Sequence, residues 1–365
     1  MIKTLSIIVA VLAVLHGLVH LMGLFSYFPL AKIADLPYKT ALLAGRWEIG
    51  VAGMRVYSIF WLLTTLGFII GGILMLMNSP AWVPVLFVST VLSMVICVLD
   101  WQVAFRGFWI DLFFLLVVFM GGGLQYKPAS FPTFEGKPAL IETIPLPEGL
   151  PAPVDRFMRM EYGEQIPVYK TVVYSGRGTV RFMGITFPSR ICFSHLVGQG
   201  YRHYMEATVW GYPLFKVNEQ YLDGHTRLEL PFGTLEDAPY THSAANLGLW
   251  AEAFTYPAAF VTTPGARWEP IDENSARLFV PFGESEQSLV VSFDPISGDL
   301  TRIEALRHRD ENSGEMRWWG DIREVSGKPV FGVTWEDEDS AWLVGTVEEY
   351  VFNADLVEYI LQKGY

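Results

Sequence analysis

The chain has 365 residues, of which 51% are hydrophobic and only 18% are charged, whereas soluble proteins usually carry about 25% charged residues. The net charge of −12 argues against a nucleic-acid partner, and the 15% aromatic content excludes a disordered chain. The charge is uneven, since the first 125 residues carry a net +2 and the rest a net −14. Two cysteines, Cys97 and Cys192, are too few for a disulfide scaffold or a cysteine-based zinc site.

Four apolar runs in the first 125 residues are long enough to cross a bilayer, which takes about 20 residues. They are Leu5–Phe28, Val56–Met77, Ala81–Leu99 and Phe105–Leu124. The first run is too long for a signal peptide and lacks a small-residue cleavage site. We therefore predict that residues 1–125 form a four-helix transmembrane bundle in a cell membrane, with membrane lipid as its partner.

The basic residues of the short loops predict the orientation of the bundle. Three lie on one side and five on the other: Lys3, Lys127 and Lys137 against Lys32, Lys39, Arg46, Arg55 and Arg106. The larger number favours the 29–55 loop as cytoplasmic. The C-terminal domain is accordingly predicted to be extracytoplasmic.

Two histidines share one face of the first predicted helix, because His16 and His20 are four residues apart. Such a pair can bind haem or a metal, and ionisable groups at membrane depth suggest a function. No second pair completes a site, so the alternative is hydrogen bonding between helices, with Gly17 and Gly23 allowing close approach. Three further ionisable residues are interpreted as an ion-pair cluster at the membrane interface: Asp100, Arg106 and Asp111.

A proline-rich stretch follows the bundle. Residues 126–153 contain seven prolines, a density that forbids a continuous helix and favours extended chain. We interpret this stretch as a semi-rigid linker that holds the next domain away from the membrane.

Residues 154–365 are predicted to form a β-rich domain, because short runs of β-branched and aromatic residues alternate with Gly, Pro and polar turns. The predicted strands are Val168–Tyr174, Thr179–Phe187, Arg190–Val197, Tyr201–Trp210, Leu214–Leu222, His225–Leu230, Ala276–Phe282, Ser288–Phe293, Leu300–Arg307, Met316–Val325, Pro329–Trp335 and Trp342–Phe352. Asp337–Ser340 and Ser297–Asp299 are typical of hairpin turns.

Several strands are apolar on both faces, which is unusual for a sheet with one face in water. The sheet is therefore expected to curve around a helix or an apolar ligand. One helix is predicted, capped by Thr241 or Ser243 and ending near Tyr256. The fold class is a transmembrane four-helix bundle plus an α+β domain, with a curved, half-barrel-like antiparallel sheet around one main helix.

Few residues of the domain suggest chemistry. The sequence has no nucleophile elbow, phosphate loop or zinc motif. The histidines lack metal-ligand spacing, although curvature of the sheet could bring two or three of them together: His195, His203, His225, His242 and His308. Neither a cofactor nor a metal is therefore expected. Glu252 lies near the apolar face of the predicted helix, and if buried it needs a partner such as Arg177 or Arg181. The alternative is a carboxylate that faces solvent.

Several segments resemble the successive signatures of an uncharacterised bacterial family, a domain of unknown function that is often attached to membrane helices. They are Leu150–Arg156, Arg177–Arg181, Asp223–Gly224, Leu249–Pro257, Trp268–Asp272 and Thr346–Tyr350. The resemblance covers about residues 148–355 and places Arg181, Glu252 and Trp268 at recurring positions. Asn246 departs from the family, in which arginine is more usual. The pattern of strands is also similar to the half-barrels of lipoprotein carriers.

Three functions are compatible with these observations. The leading hypothesis is a domain that binds a lipid, acyl chain or quinone, with Arg177, Arg181, Trp250, Glu252 and Trp268 as ligand-binding candidates. A core filled by the helix would argue against it. The alternatives are an envelope-acting enzyme that uses Glu252 for acid–base chemistry, or a structural or sensory domain that binds a protein.

Overall fold

A computed structural model describes residues 2–132 and 139–363. The chain forms two compact units, residues 1–126 and 127–365. Pro138 of the predicted linker lies outside the described residues.

The first unit contains four helices that are long and apolar enough to span a membrane, as predicted. The 29–55 loop adds a small two-stranded sheet. The elements are α1 (Ile2–Tyr27), β1 (Ala41–Leu42), β2 (Trp47–Glu48), α2 (Gly50–Leu76), α3 (Trp82–Leu99) and α4 (Trp101–Gln125).

Several polar side chains of this unit are buried between the helices, where they form hydrogen bonds with one another. His16 Nε2 lies 2.9 Å from an Asp111 carboxylate oxygen, and His20 Nε2 lies 2.8 Å from Ser93 Oγ, which donates to Asp111. A Cβ at Gly17 would lie 2.9 Å from the Cβ of Phe68 on α2, so glycine allows α1 and α2 to approach closely. The prediction of hydrogen bonding between helices is confirmed.

The predicted interfacial ion-pair cluster is wrong. Asp111 is fully buried and pairs with His16. Asp100 is also buried, where it accepts hydrogen bonds from Tyr27 and Lys39. Arg106 stacks on Phe105 instead of pairing with either carboxylate. These aspartates contact residues far away in sequence, which local charge spacing does not reveal.

The second unit contains the remaining elements of the described chain. Its helices are α5 (Ala152–Tyr162), α6 (Pro239–Ala251), a 3₁₀ helix (Glu252–Thr255), α7 (Ala259–Thr262) and α8 (Leu356–Lys363). Its strands are β3 (Glu142–Pro145), β4 (Gln165–Val168), β5 (Thr171–Phe182), β6 (Ile185–Leu196), β7 (Gly200–Val209), β8 (Tyr212–Leu222), β9 (His225–Leu230), β10 (Gly233–Glu236), β11 (Arg267–Pro270), β12 (Ser275–Phe282), β13 (Ser285–Phe293), β14 (Leu300–His308), β15 (Glu315–Val325), β16 (Lys328–Trp335) and β17 (Leu343–Phe352).

Thirteen of these strands form one open antiparallel sheet. Strands β5 to β10 meander from the centre to one edge, and β11 to β17 meander from the other edge back to β5. α6 connects the two edges. The two outermost strands, β10 and β11, do not pair, so the sheet stays open as a half-barrel-like fold requires.

α6 explains why the sheet curves. The helix contacts β9 and β12, which are ten places apart in the strand order. In a flat sheet that separation would be about 48 Å, far more than the roughly 20 Å length of a 13-residue helix. The sheet therefore wraps around α6, whose buried side chains, such as Leu247 and Trp250, join the core.

Two predicted boundaries differ from the structure. The predicted strand Thr179–Phe187 is wrong, because Met183 and Gly184 adopt positive φ angles in a turn between β5 and β6. The predicted cap of α6 is also wrong, since the helix begins two residues before Thr241 and Ala238 provides no side-chain cap. Pro239 at the first turn begins the helix instead.

Much of the proline-rich stretch folds onto the second unit. β3 pairs with β4, and the helix α5 begins at Ala152. Leu146 joins the main core and Phe131 packs in a smaller cluster on the other side of the sheet. These described parts of the stretch therefore contribute to the domain as well as connecting it.

Candidate functional site

Two histidines and one carboxylate converge on the face of the sheet that α6 covers. In the β6–β7 hairpin His195 is opposite Tyr201 and His203 is opposite Phe193, so the two histidines are diagonal neighbours on one face. Glu252, the first residue after α6, reaches the same place. One ligand-type atom from each of the three residues lies within 4.8 Å of the others.

The contacts of Glu252 are close, yet they are not well-aligned hydrogen bonds. Its Oε2 atom lies 2.7 Å from His203 Nε2 and 3.3 Å from His195 Nε2. Neither histidine nitrogen has a hydrogen-bond partner among the described residues, and neither does His195 Nδ1. Tyr174 Oη donates a long hydrogen bond of 3.4 Å to the same carboxylate oxygen. The polar atoms of the cluster therefore point towards a shared space rather than pairing one to one.

The three residues differ in how deeply they are buried. The His195 side chain is completely buried and that of His203 is 9% exposed, whereas the Glu252 side chain is 22% exposed. Aromatic rings hold the imidazoles, because Tyr174 stacks on His195 and Tyr201 stacks on His203 with ring centroids 3.8 Å apart. The cluster is rigid on the sheet side and accessible to water on the Glu252 side.

A second carboxylate supports His203 from β8. Glu219 is opposite His203 in the β7–β8 pair, with 3.8 Å between Glu219 Oε2 and His203 Nδ1. Tyr201 Oη donates to the other Glu219 oxygen at 2.7 Å. His203 thus lies between two carboxylates, with Nε2 towards Glu252 and Nδ1 towards Glu219.

The electrostatics differ between the two histidines. Burial disfavours the imidazolium form of His203, but Glu252 and Glu219 outweigh this effect and raise the pKa of His203 to about 9. Burial, reinforced by the neighbouring His203, holds the pKa of His195 well below its usual value. Burial opposes ionisation of Glu219 too, but its contacts with His203 and Tyr201 lower the net pKa. Without a metal, His203 is protonated and His195 is neutral at pH 7.

These three residues are the ones that can hold a metal ion. Two imidazoles and one carboxylate are a frequent ligand set for Zn²⁺, at about 2.0–2.2 Å from each donor atom. Tetrahedral ligands at that distance lie about 3.3 Å apart. The Glu252 oxygen lies at that distance from His195 Nε2, and closer, at 2.7 Å, to His203 Nε2. No other such group of three ligand residues occurs in the part of the chain that the structure describes.

Residues 140–343 match the model of DUF6544, described as a family of unknown function. The chain belongs to the DUF6544 family. A search of curated proteins gave no match. All three residues of the cluster, as well as Glu219, lie within the matched residues 140–343.

The expected pairing of Glu252 with Arg177 or Arg181 is wrong. Arg177 pairs with Glu348 at 2.7 Å, and Arg181 pairs with Glu338 at 3.0 Å. Both arginines lie on β5, whereas the histidines that contact Glu252 are on β6 and β7.

The other predicted site residues also contact different parts of the domain. Trp250 is buried in the main core. Trp268 lies on the edge strand β11 and donates its indole N–H to the carbonyl of Phe260. Asn246, where DUF6544 was expected to carry arginine, donates to the carbonyl of Pro281 and to Gln287. Of the five candidates, Glu252 alone belongs to the His195–His203–Glu252 cluster.

The sequence interpretation missed His195, His203 and Glu219. The signal was present in the hairpin around Gly198 and Gly200, which fixes which residues of β6 and β7 face the same side. Placing Glu252 opposite them also required the path of α6 across the sheet.

Proposed function

We propose that the DUF6544 domain of this membrane-anchored protein is a metal-dependent hydrolase whose metal is held by His195, His203 and Glu252. The observation that carries the proposal is the convergence of these three side chains around the completely buried His195, whose nitrogens are unpartnered. A buried polar group without a partner costs free energy. A metal ion would bind one nitrogen of each imidazole and one oxygen of the carboxylate at once.

The surroundings of His203 support a metal ligand. Metal-binding histidines usually present their second nitrogen to a carboxylate, which fixes the ring and increases its basicity. Glu219 occupies that position against His203 Nδ1, and Tyr201 orients Glu219. The stacked ring of Tyr201 and the tilted ring of Phe193 further restrict the imidazole.

The number of ligands indicates the chemistry. Catalytic zinc sites have three protein ligands and leave a fourth position for water, whose pKa falls to about 7. The exposed side of Glu252 leaves that position open to solvent. Held by His195, His203 and Glu252, the metal would supply an activated water for the hydrolysis of an ester or amide bond.

Metal analysis of the full-length protein in detergent tests the proposal. We expect one Zn²⁺ per chain after dialysis against Zn²⁺, and His203→Gln is expected to weaken binding by about a hundredfold or more. His225→Gln is the matched control, because His225 is an exposed histidine on β9 that pairs with Asp237. The control is expected to bind Zn²⁺ like the unaltered protein.

A purely structural cluster gives a different result. If His203 and Glu252 form only a buried ion pair, the protein binds no stoichiometric zinc and His203→Gln merely lowers its thermal stability. That outcome would overturn the proposal.

Binding of an amphiphilic ligand is a second candidate function, favoured by a groove of about 680 Å³ elsewhere in the unit. α6 fills the core, which argues against a ligand there. The groove, however, has the volume of a small-molecule site. Its aromatic residues are Phe157, Tyr162, Tyr169, Phe254, Tyr350 and Phe352.

Mass spectrometry of organic extracts tests this second candidate. The unaltered protein is expected to carry a stoichiometric lipid that is lost in Phe254→Asp. Extracts that match those of an unrelated membrane protein would contradict the candidate.

We also propose that the domain is extracytoplasmic, supported by the excess of basic residues on the opposite side of the four helices. Alkaline phosphatase fused to the C-terminus is expected to be active in cells. Green fluorescent protein fused at the same position is expected not to fluoresce. The reverse pattern would place the domain in the cytoplasm.

A further inference from the structure

A partly buried arginine lies beside the proposed metal site, and no side chain of the described residues forms a direct hydrogen bond or ion pair with it. Arg307 is on β14, and its guanidinium carbon lies 4.8 Å from the ring centroid of Trp318 and 5.4 Å from that of Trp335. Both tryptophans are buried. Its Nε atom is buried without a hydrogen-bond partner among the described residues. Burial lowers the pKa of Arg307, and the nearby negative charges of Glu219 and Glu252 oppose that shift.

This arrangement is costly for a structural arginine. A guanidinium has five N–H donors and stays charged, so a buried one is normally paired with a carboxylate. The two tryptophan rings lie within cation–π distance of the guanidinium and favour its charged form. They leave the N–H groups free for an oxyanion, which guanidinium binds with two parallel hydrogen bonds.

Arg307 and Tyr201 both lie next to Gly248 on α6. A Cβ added at Gly248 would lie 3.9 Å from Tyr201 Oη and 4.0 Å from Arg307 Nη1, so both polar groups border the same point of α6. Tyr201 donates to Glu219, which supports His203. Glycine inside a helix costs about 0.5–1 kcal/mol relative to alanine, and here it leaves space between α6 and these polar groups. Glu252 follows one helical turn later.

We infer that Arg307 binds an anionic group of the substrate, a carboxylate or a phosphate, next to the metal. This inference rests on the proposed hydrolase, and it narrows the substrate class to esters or amides that carry a negative charge near the bond that is cleaved. Arg307 anchors the oxyanion, and the stacked tryptophans hold the guanidinium in place.

Cobalt provides a probe for both the metal and the anion, because the visible absorption of Co²⁺ changes when an anion approaches its ligands. The full-length protein in detergent is loaded with Co²⁺ and titrated with inorganic phosphate in one arm and acetate in the other. We expect a saturable spectral change in at least one arm, and the stronger arm identifies phosphate or carboxylate as the preferred anion. Arg307→Gln is expected to weaken that binding by about ten- to a hundredfold, with Co²⁺ affinity unchanged within twofold.

Two variants control for folding and for general charge. Arg302→Gln changes an arginine on the same strand that pairs with Asp321 instead, and it is expected to bind the anion like the unaltered protein. Arg307→Lys keeps the charge without the fork of donors and is expected to lie between the unaltered protein and Arg307→Gln.

Each outcome separates this inference from the proposed function. If Co²⁺ binds but neither anion changes the spectrum, or if Arg307→Gln binds the anion as well as Arg302→Gln, the inference is overturned and the metal site stands. If Co²⁺ does not bind, the hydrolase is overturned. Calorimetry with the metal-free protein then compares anion binding by the unaltered protein and by Arg307→Gln. If the two bind the anion equally well, or if neither binds it, the inference about Arg307 is overturned as well.

Discussion

At the scale of single residues, His203 has the most unusual environment in the domain. It is buried, stacked on Tyr201 and flanked by Glu252 and Glu219. The two carboxylates stabilise its protonated form more than burial destabilises it. The same contacts suit a metal ion, which would replace the proton on Nε2.

The stability of the metal-free protein is expected to depend on pH through His203. Its pKa of about 9 in the folded state lies above the value of about 6.5 in the unfolded state. Its contribution is therefore complete below pH 6.5 and is lost as the pH rises through 9. We expect a loss of up to about 3 kcal/mol, measured as a fall in Tm of the chelator-treated protein between pH 6.5 and 10.

His203→Gln is the reference for that measurement, because other groups also titrate at alkaline pH. The variant is expected to have a lower Tm at pH 6.5 and a smaller decline towards pH 10. Parallel declines in both proteins would show that His203 does not carry the effect.

At the scale of secondary-structure elements, the pair of β5 and β17 joins the two halves of the sheet. A Cβ at Gly178 would lie 1.8 Å from the carbonyl oxygen of Val344, and one at Gly176 only 1.9 Å from that of Thr346. The Gly176–Arg181 segment is therefore part of a strand whose glycines permit close approach of β17. This role in a strand agrees with the absence of a phosphate-loop motif from the sequence.

Gly178→Ala is expected to destabilise the domain by about 1–3 kcal/mol, because the added methyl group forces the backbone of β17 to move. Thermal or denaturant unfolding measures the change. Gly314→Ala is the matched control, since a Cβ there meets no atom within 4 Å. Equal stability of the two variants would contradict the close contact between β5 and β17.

At the scale of the whole molecule, the chain combines two compact units with different surfaces. The first exposes many large apolar side chains along its four helices, as expected of a unit that faces lipid. The second buries a large core between the sheet and its helices and carries most of the charge. Each unit has its own core.

The second unit is therefore expected to fold by itself. A chain of residues 127–365 should be monodisperse without detergent, with the far-ultraviolet circular dichroism of a β protein and a cooperative unfolding transition. Size-exclusion chromatography and thermal unfolding measure both properties. Aggregation of this chain under conditions in which the full-length protein is stable in detergent would contradict the independence of the domain.

The sequence by itself determined four helices that are long and apolar enough to span a membrane, the resemblance to an uncharacterised family, most of the strands and the position of the main helix. These features depend on runs of apolar residues, alternation and turn residues that are neighbours in the chain. Only the tertiary structure decided which side chains meet: the partners of Asp111 and Glu252, the diagonal placement of His195 and His203, and the unpaired Arg307. The physical reason is that these contacts depend on packing between distant parts of the chain. Strand register and the path of α6 bring Glu252 to His195 and His203, about 50 positions away, and helix packing brings His16 to Asp111, 95 positions away.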